Sequence, residues 1–148
     1  MLLGVPDVFS PELLRTIMEM GHGDEIAVVD ANFPAHSVAA GTVHGRVVAL
    51  AGASMPEAAS AVLSLLPIDY EGGAAVRVMA GRGASVPPVH GELQKVVDAA
   101  SGRPCHVEQL ERFAFYEACR HIYAVVQTGE RRLFGNVLIR KGVVAPAE

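Results

Sequence analysis

A chain of 148 residues has the length of one compact domain, so we expect a single domain over residues 1–148. Lys and Arg number 12 against 16 Asp and Glu, and this net charge of −4 argues against nucleic acid or an anionic membrane as the main partner, because both require a basic surface. A hydrophobic fraction of 51% with only 19% charged residues excludes a disordered chain and favours a homo-oligomer that buries further surface between subunits.

The cysteine content and the N-terminal residues predict the cellular compartment of the protein. Cys105 and Cys119 form neither a disulfide framework nor a CxxC pair, which favours a reducing environment. Residues 1–10 lack the basic start and continuous apolar stretch of a signal peptide, and no run approaches the roughly 18 apolar residues of a membrane span. We expect a cytoplasmic protein with no membrane partner.

Helix and strand signals alternate along the N-terminal half. Ser10 followed by Pro11 is typical of a helix N-terminus, and Gly21 ends that helix. Ser54 and Glu57 fit a capping box, which opens a helix that runs to residue 66. Between these helices the sequence predicts a strand over 26–29, a loop over 32–45 and a strand over 47–51.

The C-terminal half continues this alternation and ends differently. The sequence predicts a strand over 76–80, a loop over 81–88, a helix over 91–100 closed by Gly102, and a helix over 112–120. Residues 122–128 and 133–139 are β-prone runs with a short connection, which is the pattern of a hairpin. The predicted fold is therefore α/β, with a mostly parallel central sheet flanked by helices and a C-terminal antiparallel hairpin.

The densest polar cluster is the segment GHGDE at residues 21–25, between a helix and a strand. The glycines leave room for a ligand beside His22, and a histidine can transfer protons at neutral pH. The alternative, which spacing alone favours, is that His22 is an ordinary loop histidine beside a solvated acidic pair.

Asp30 is a second candidate. It ends a strand, where open α/β sheets bind ligands, and its alternative role is to cap the following turn.

Two further groups of residues could contact a ligand. Arg112 and Tyr116 share one helical face and suit a polyhydroxylated ligand, or else form a surface pair, while Phe113 and Phe115 are expected in the core. The segment FGN at residues 134–136 falls inside a predicted strand, where a glycine indicates a bulge or the close approach of a ligand, and Asn136 offers donors and an acceptor.

Other kinds of site find no support in the sequence. The six histidines include no HExxH motif, so no metal site is predicted. Gly81-Arg82-Gly83 lacks the longer pattern of a phosphate loop. No GxSxG elbow is present and neither cysteine has an obvious activating base, so covalent catalysis is not predicted.

Taken together, these segments resemble the L-fucose mutarotase and D-ribose pyranase family (RbsD/FucU-like). The resemblance rests on MGHGDEI at residues 20–26 and DANFPAHS at residues 30–37, followed in order by LLPID, ERFAFYE, TGE and GN. It extends over nearly the whole chain and is weakest between Tyr70 and Gln109. The ERFAFYE stretch is similar to the fucose branch rather than the ribose branch.

The resemblance implies an enzyme that interconverts the cyclic forms of a free reducing sugar with no metal and no organic cofactor. It implies His22 as the proton-transferring residue and a ring-shaped homo-oligomer, commonly a decamer, with sites near subunit contacts. The implied sugar-binding positions are Asp30, Asp69, Arg112, Tyr116, Phe134 and Asn136. At Phe134 the family generally has tyrosine, so this chain lacks one expected hydroxyl.

The residues and the resemblance together predict a fucose-type mutarotase, with D-ribose pyranase activity as a side reaction. Neutral His22 takes the proton of the anomeric hydroxyl and its charged form protonates the ring oxygen, with Asp30 or a water as relay. The alternatives are a monosaccharide-binding protein that lost turnover through Phe134, and an oligomer that only scaffolds partners.

Overall fold

A computed structural model describes residues 1–147. In chain order the elements are α1 (Pro11–Glu19), β1 (Glu25–Val29), α2 (Ala35–Ala39), β2 (Val47–Leu50), α3 (Met55–Leu65), β3 (Val76–Met79), α4 (Pro88–Ser101), β4 (Val107–Leu110), α5 (Arg112–Ala118), a 3₁₀ turn (Cys119–His121), β5 (Ala124–Thr128) and β6 (Val137–Arg140). The strands form one sheet in the order β2-β5-β1-β6-β3-β4. Among the residues described, no helix has both the length and the apolar character needed to cross a bilayer.

Helices cover both faces of the sheet. On one face α1, α3 and α4 pack over Ile26 and Val28 of β1, whereas on the other face α2 and α5 pack over Ala27 and Val29. All four of these β1 side chains are fully buried. This double coverage is the reason that residues 26–29 form a continuous apolar run instead of alternating with polar residues.

The local signals at the helix ends are confirmed. Ser10 accepts a hydrogen bond from the Leu13 backbone N–H at 3.1 Å and caps α1. Ser54 and Glu57 form the expected capping box of α3. Gly102 closes α4 in the left-handed conformation, with φ of 69°. These contacts lie within one turn of each helix end, so they depend little on the rest of the fold.

The α/β class and the mostly parallel sheet are confirmed, but the predicted hairpin between the last two strands is wrong. β5 pairs in parallel with β1 and β2, whereas β6 runs antiparallel between β1 and β3. The chain between them crosses the end of β1, where the Ala31 backbone N–H donates to the Glu130 carbonyl at 2.8 Å. That crossing inserts β1 between two strands that are neighbours in sequence.

Three other boundaries differ from the predictions. The region 32–45 is not only a loop, because it contains the short helix α2. Helix α4 begins at Pro88 instead of residue 91, since Val89 and His90 are already buried in its first turn. Strand β4 was not predicted, because it is a half-exposed edge strand with Glu108 and Gln109 at its centre and so lacks an apolar run.

Candidate functional site

The GHGDE segment is a tight turn that leads from α1 into β1. The Gly21 N–H donates to the Asp24 carboxylate at 2.7 Å, and Gly23 adopts a positive φ of 86° while its N–H donates to the Lys141 carbonyl at 2.8 Å. Glu25 forms an ion pair with Arg77 of β3. Both acidic residues therefore stabilise the turn and the sheet. His22 is left with its side chain 51% exposed.

One carboxylate faces His22. Its Nε2 lies 3.7 Å from Oδ2 of Asp69, a residue that is only 7% exposed. Asp69 accepts hydrogen bonds from the Glu71 backbone N–H at 2.9 Å and from Nε of Arg140 at 2.7 Å. These donors hold the pKa of Asp69 below its usual value, so a charged carboxylate faces the imidazole and can orient it. We call His22, Asp69 and Arg140 the His22 cluster.

Asp30 and Asn136 are held together by two hydrogen bonds. The Asp30 backbone N–H donates to Oδ1 of Asn136 at 2.9 Å, and Nδ2 of Asn136 donates to the Asp30 carboxylate at 3.0 Å. The other Asp30 oxygen caps the following turn by accepting from the Asn32 N–H at 2.9 Å. Asp30 is 3% exposed, and this burial raises its pKa in spite of the hydrogen bonds. The expected turn-capping role of Asp30 is thus observed, and a carboxyl group with a raised pKa suits proton transfer.

Arg112 and Phe134 line one groove of about 500 Å³ near the carboxyl end of β3. The Arg112 guanidinium lies 4.8 Å from the ring centre of Phe113, and the Tyr116 ring packs on Phe33 with 5.5 Å between the ring centres.

The two phenylalanines of α5 differ in burial. Phe115 is buried as predicted, but Phe113 is 67% exposed, so its assignment to the core was wrong. Helix α5 is only seven residues long and places only Phe115 in the fully buried layer.

The FGN segment lies before β6 and not inside a strand, so that expectation was wrong. Phe134 has a positive φ of 64°. A Cβ atom added to Gly135 would lie 2.8 Å from Cγ of Glu130 and 3.5 Å from Cβ of Asp30. The close packing of Gly135 on Glu130 within the protein is therefore sufficient to require a glycine here.

These residues fall into two groups at opposite ends of the central strand β1. The set at the carboxyl end of β1, which we call the Asp30 cluster, contains Asp30, Arg112, Tyr116, Phe134 and Asn136. The His22 cluster lies before the start of β1. From Glu25 to Asp30 the strand spans about 17 Å at roughly 3.3 Å per residue. Within one chain, a monosaccharide cannot contact both clusters.

Two further ionic groups, around Arg140 and around Glu130, were not predicted from the sequence. Arg140 clamps the 69–73 loop by donating to Asp69 and to the carbonyls of Glu71 and Gly73. Glu130 is 4% exposed, and its hydrogen bonds from Arg132, assisted by the Met55 N–H, lower its pKa to about 2. In the sequence Arg140 looks like an ordinary strand-end residue and Glu130 like an ordinary turn residue. No local pattern indicates that Arg140 contacts Asp69 or that Glu130 contacts the Met55 N–H.

The two cysteines are poor nucleophiles, and the histidine, cysteine and carboxylate side chains are widely spread in the described part of the chain. Burial raises the pKa of Cys119 to about 12 and also raises that of Cys105, so neither is an activated nucleophile. Within residues 1–147, no three His, Cys, Asp or Glu side chains lie close enough to hold a metal ion.

Comparison with known proteins identifies the family. The chain matches the RbsD / FucU transport protein family over residues 4–144. It belongs to this family. Fucose mutarotase of Danio rerio is 42% identical to this RbsD/FucU member over 153 residues, which cover 99% of this chain and 97% of that protein.

Solved structures agree with this assignment. A fucose mutarotase from Streptococcus pneumoniae in complex with L-fucose matches this RbsD/FucU chain with a TM-score of 0.87 and 34% identity, over 97% of this chain and 100% of that one. A second protein, described as a putative sugar binding protein, matches with a TM-score of 0.94 and 37% identity, over 98% and 97% of the two chains. The resemblance inferred from MGHGDEI and DANFPAHS is confirmed.

Proposed function

We propose that this RbsD/FucU protein is an isomerase, a sugar mutarotase that interconverts the anomers of L-fucose or a similar free monosaccharide. The observation that carries the proposal is the full-length identity of 42% to a fucose mutarotase. The chain has an exposed histidine next to a carboxylate, and a buried carboxyl group paired with an amide. Both are groups that general acid–base chemistry on a sugar requires.

The reaction needs one group that takes the proton of the anomeric hydroxyl and one that protonates the ring oxygen. The ring then opens to the aldehyde, the C1–C2 bond rotates, and closure on the other face gives the second anomer. We assign the proton transfers to His22, oriented by Asp69, with Asp30 as a relay. General acid–base catalysis contributes roughly 10²- to 10⁴-fold, which suffices for a reaction that already proceeds in water.

We further propose that the two clusters meet across a subunit contact in a ring-shaped homo-oligomer, a decamer. The separation of about 17 Å along β1 supports this, because only a neighbouring copy can bring a His22 cluster to an Asp30 cluster. Large apolar side chains such as Met18 and Phe113, 83% and 67% exposed, supply surface suited to such contacts. In that arrangement the sugar contacts Asp30, Arg112, Tyr116, Phe134 and Asn136 of one subunit and His22 and Asp69 of the next.

The purified protein is expected to behave as a large assembly. Because the site needs two copies, size-exclusion chromatography with light scattering should give about ten times the mass of the chain. Its control is dilution into the nanomolar range, where a weak assembly dissociates and a stable ring does not. A monomer that still exchanges anomers at full rate would contradict the shared site.

Exchange spectroscopy tests the proposed activity itself. Saturation transfer by NMR between the anomers of L-fucose, with D-ribose in parallel, should show exchange well above the rate in water. Faster exchange with ribose would assign the protein to D-ribose pyranase activity. Binding of fucose without exchange would instead establish a sugar-binding protein, the alternative in which the absence of a tyrosine hydroxyl at Phe134 removes turnover.

Replacing Phe134 by Tyr restores the hydroxyl that the family generally carries. A neutral hydrogen bond contributes about 0.5 to 1.5 kcal/mol, so Phe134→Tyr should tighten fucose binding by about 2- to 13-fold in calorimetry with little change in turnover. Phe9→Tyr, at a half-buried phenylalanine outside both clusters, serves as the matched control. A gain of several hundred-fold in exchange rate would show that the hydroxyl carries a catalytic proton and that the native protein only binds sugar.

We place the protein in the cytoplasm. Cys105 and Cys119 are both free thiols, as expected of a protein in a reducing compartment.

A further inference from the structure

His90, in the first turn of α4, is a buried histidine that the proposed reaction does not use. It is 7% exposed, and its Nε2 lies 2.9 Å from the carbonyl oxygen of Phe134. A carbonyl only accepts hydrogen bonds, so Nε2 must carry the proton. In the neutral ring Nδ1 then holds a lone pair, and this atom is buried without a partner in the described part of the chain. Burial lowers the pKa of His90, which agrees with a neutral ring.

The residue that accepts this hydrogen bond is itself unusual. Phe134 is the only non-glycine residue among 1–147 with a positive φ, at 64°. A bulky L-residue seldom adopts this conformation unless its surroundings impose it. The surroundings here are the His90 N–H on the Phe134 carbonyl and, one residue later, the close packing of Gly135 on Glu130.

The contact also lies directly beside the candidate sugar-binding groups. Asn136 is two residues after Phe134, and its side chain pairs with Asp30. Its carbonyl accepts from the Met79 N–H at 3.1 Å, which ties the far side of the segment to the end of β3. The Phe134 ring lines the groove that also contains Arg112. The direction in which the ring and the Asn136 amide point therefore depends on the backbone between them.

An unpartnered buried nitrogen and a strained backbone are both unfavourable, and such features persist where function requires the geometry they hold. A histidine serving only to fill space needs no hydrogen bond to a strained residue. We propose that His90 is a positioning residue for sugar binding. Its Nε2–H holds the Phe134 carbonyl, and so fixes the Phe134 ring against the groove and the Asn136 amide against Asp30. The proposal rests on the proposed function, because it assigns a sugar to that groove.

Two substitutions distinguish the effect of the hydrogen bond to the Phe134 carbonyl from the effect of having any polar side chain at position 90. In His90→Gln the amide nitrogen reaches the position of Nε2 and can still donate to Phe134. In His90→Asn the amide ends near the position of Nδ1, so the donor to Phe134 is lost. If His90→Asn fails to fold, His90→Met is used in its place, because methionine fills a similar volume and has no side-chain N–H.

The variants are assayed by fucose anomer exchange and by the ¹H–¹⁵N signal of the Asn136 side-chain amide. His90→Asn is expected to raise KM about tenfold with kcat changed less than about threefold, and to shift the Asn136 signal, whereas His90→Gln keeps both near wild type. Equal changes in KM and in the Asn136 signal for both variants, or no change in either, would overturn the proposal.

The Asn136 amide signal tests the role of His90 separately from the proposed mutarotase activity. If the wild-type protein exchanges no sugar, the Asn136 signal still decides whether His90 holds this segment. A signal shifted in His90→Asn and restored in His90→Gln would then support the positioning role. An unshifted signal would overturn it.

Discussion

Replacing His22 by Asn is expected to slow anomer exchange of L-fucose by roughly 10²-fold or more, the range that general acid–base groups supply. The imidazole is half exposed and lies on a turn that backbone and Asp24 contacts hold closed, so the side chain contributes little packing. The fold and the assembly should therefore survive. Saturation-transfer NMR measures the exchange rate, and circular dichroism with light scattering checks fold and size.

His121→Asn provides the matched control. His121 is an exposed histidine on the 3₁₀ turn before β5, outside both clusters, so its replacement should leave exchange unchanged. A folded His22→Asn variant with the wild-type rate would remove His22 from the mechanism. The proton transfers would then fall to Asp30, whose raised pKa makes it the next group suited to them.

Mixing two inactive variants is expected to restore activity. His22→Asn disables one half of the proposed shared site and Asp30→Asn disables the other half. In mixed assemblies formed by co-expression, about a quarter of the subunit contacts combine an intact His22 with an intact Asp30, so about a quarter of the wild-type rate should return. Each variant alone should be slower than wild type by roughly 10²-fold or more.

A second mixture controls for nonspecific rescue. His22 and Asp69 lie 3.7 Å apart in the same cluster of one chain. His22→Asn mixed with Asp69→Asn therefore leaves every His22 cluster with one defect, and no activity should return. Equal recovery in both mixtures would contradict a site divided between the clusters, as would no recovery in the first one.

Much of this protein could be predicted from local sequence, because the interactions concerned are local. The caps at Ser10, Ser54 and Gly102 act within one turn of a helix and were predicted correctly. The continuous apolar run at 26–29 indicated a strand covered on both faces, and the family motifs MGHGDEI and DANFPAHS indicated the fold and the class of reaction.

Strand order could not be obtained in the same way. Two β-prone runs with a short connection predict a hairpin, but β6 pairs with β1 and β3 instead. At the crossing between β5 and β6, the Glu130 carboxylate accepts a hydrogen bond from the Met55 N–H and the Glu130 carbonyl accepts one from the Ala31 N–H. These contacts join segments that lie far apart in the chain, and no local pattern reports them.

The sequence by itself determined which side chains are chemically suited to act on a sugar, since residue type and motif carry that information. Only the tertiary structure decided that His22 and Asp30 lie at opposite ends of β1, because a strand separates its two ends by its own length. The tertiary structure also decided that Arg140 faces Asp69 and that His90 holds Phe134. Those pairs form between residues 71 and 44 positions apart, where chain folding, and not spacing, sets the distance.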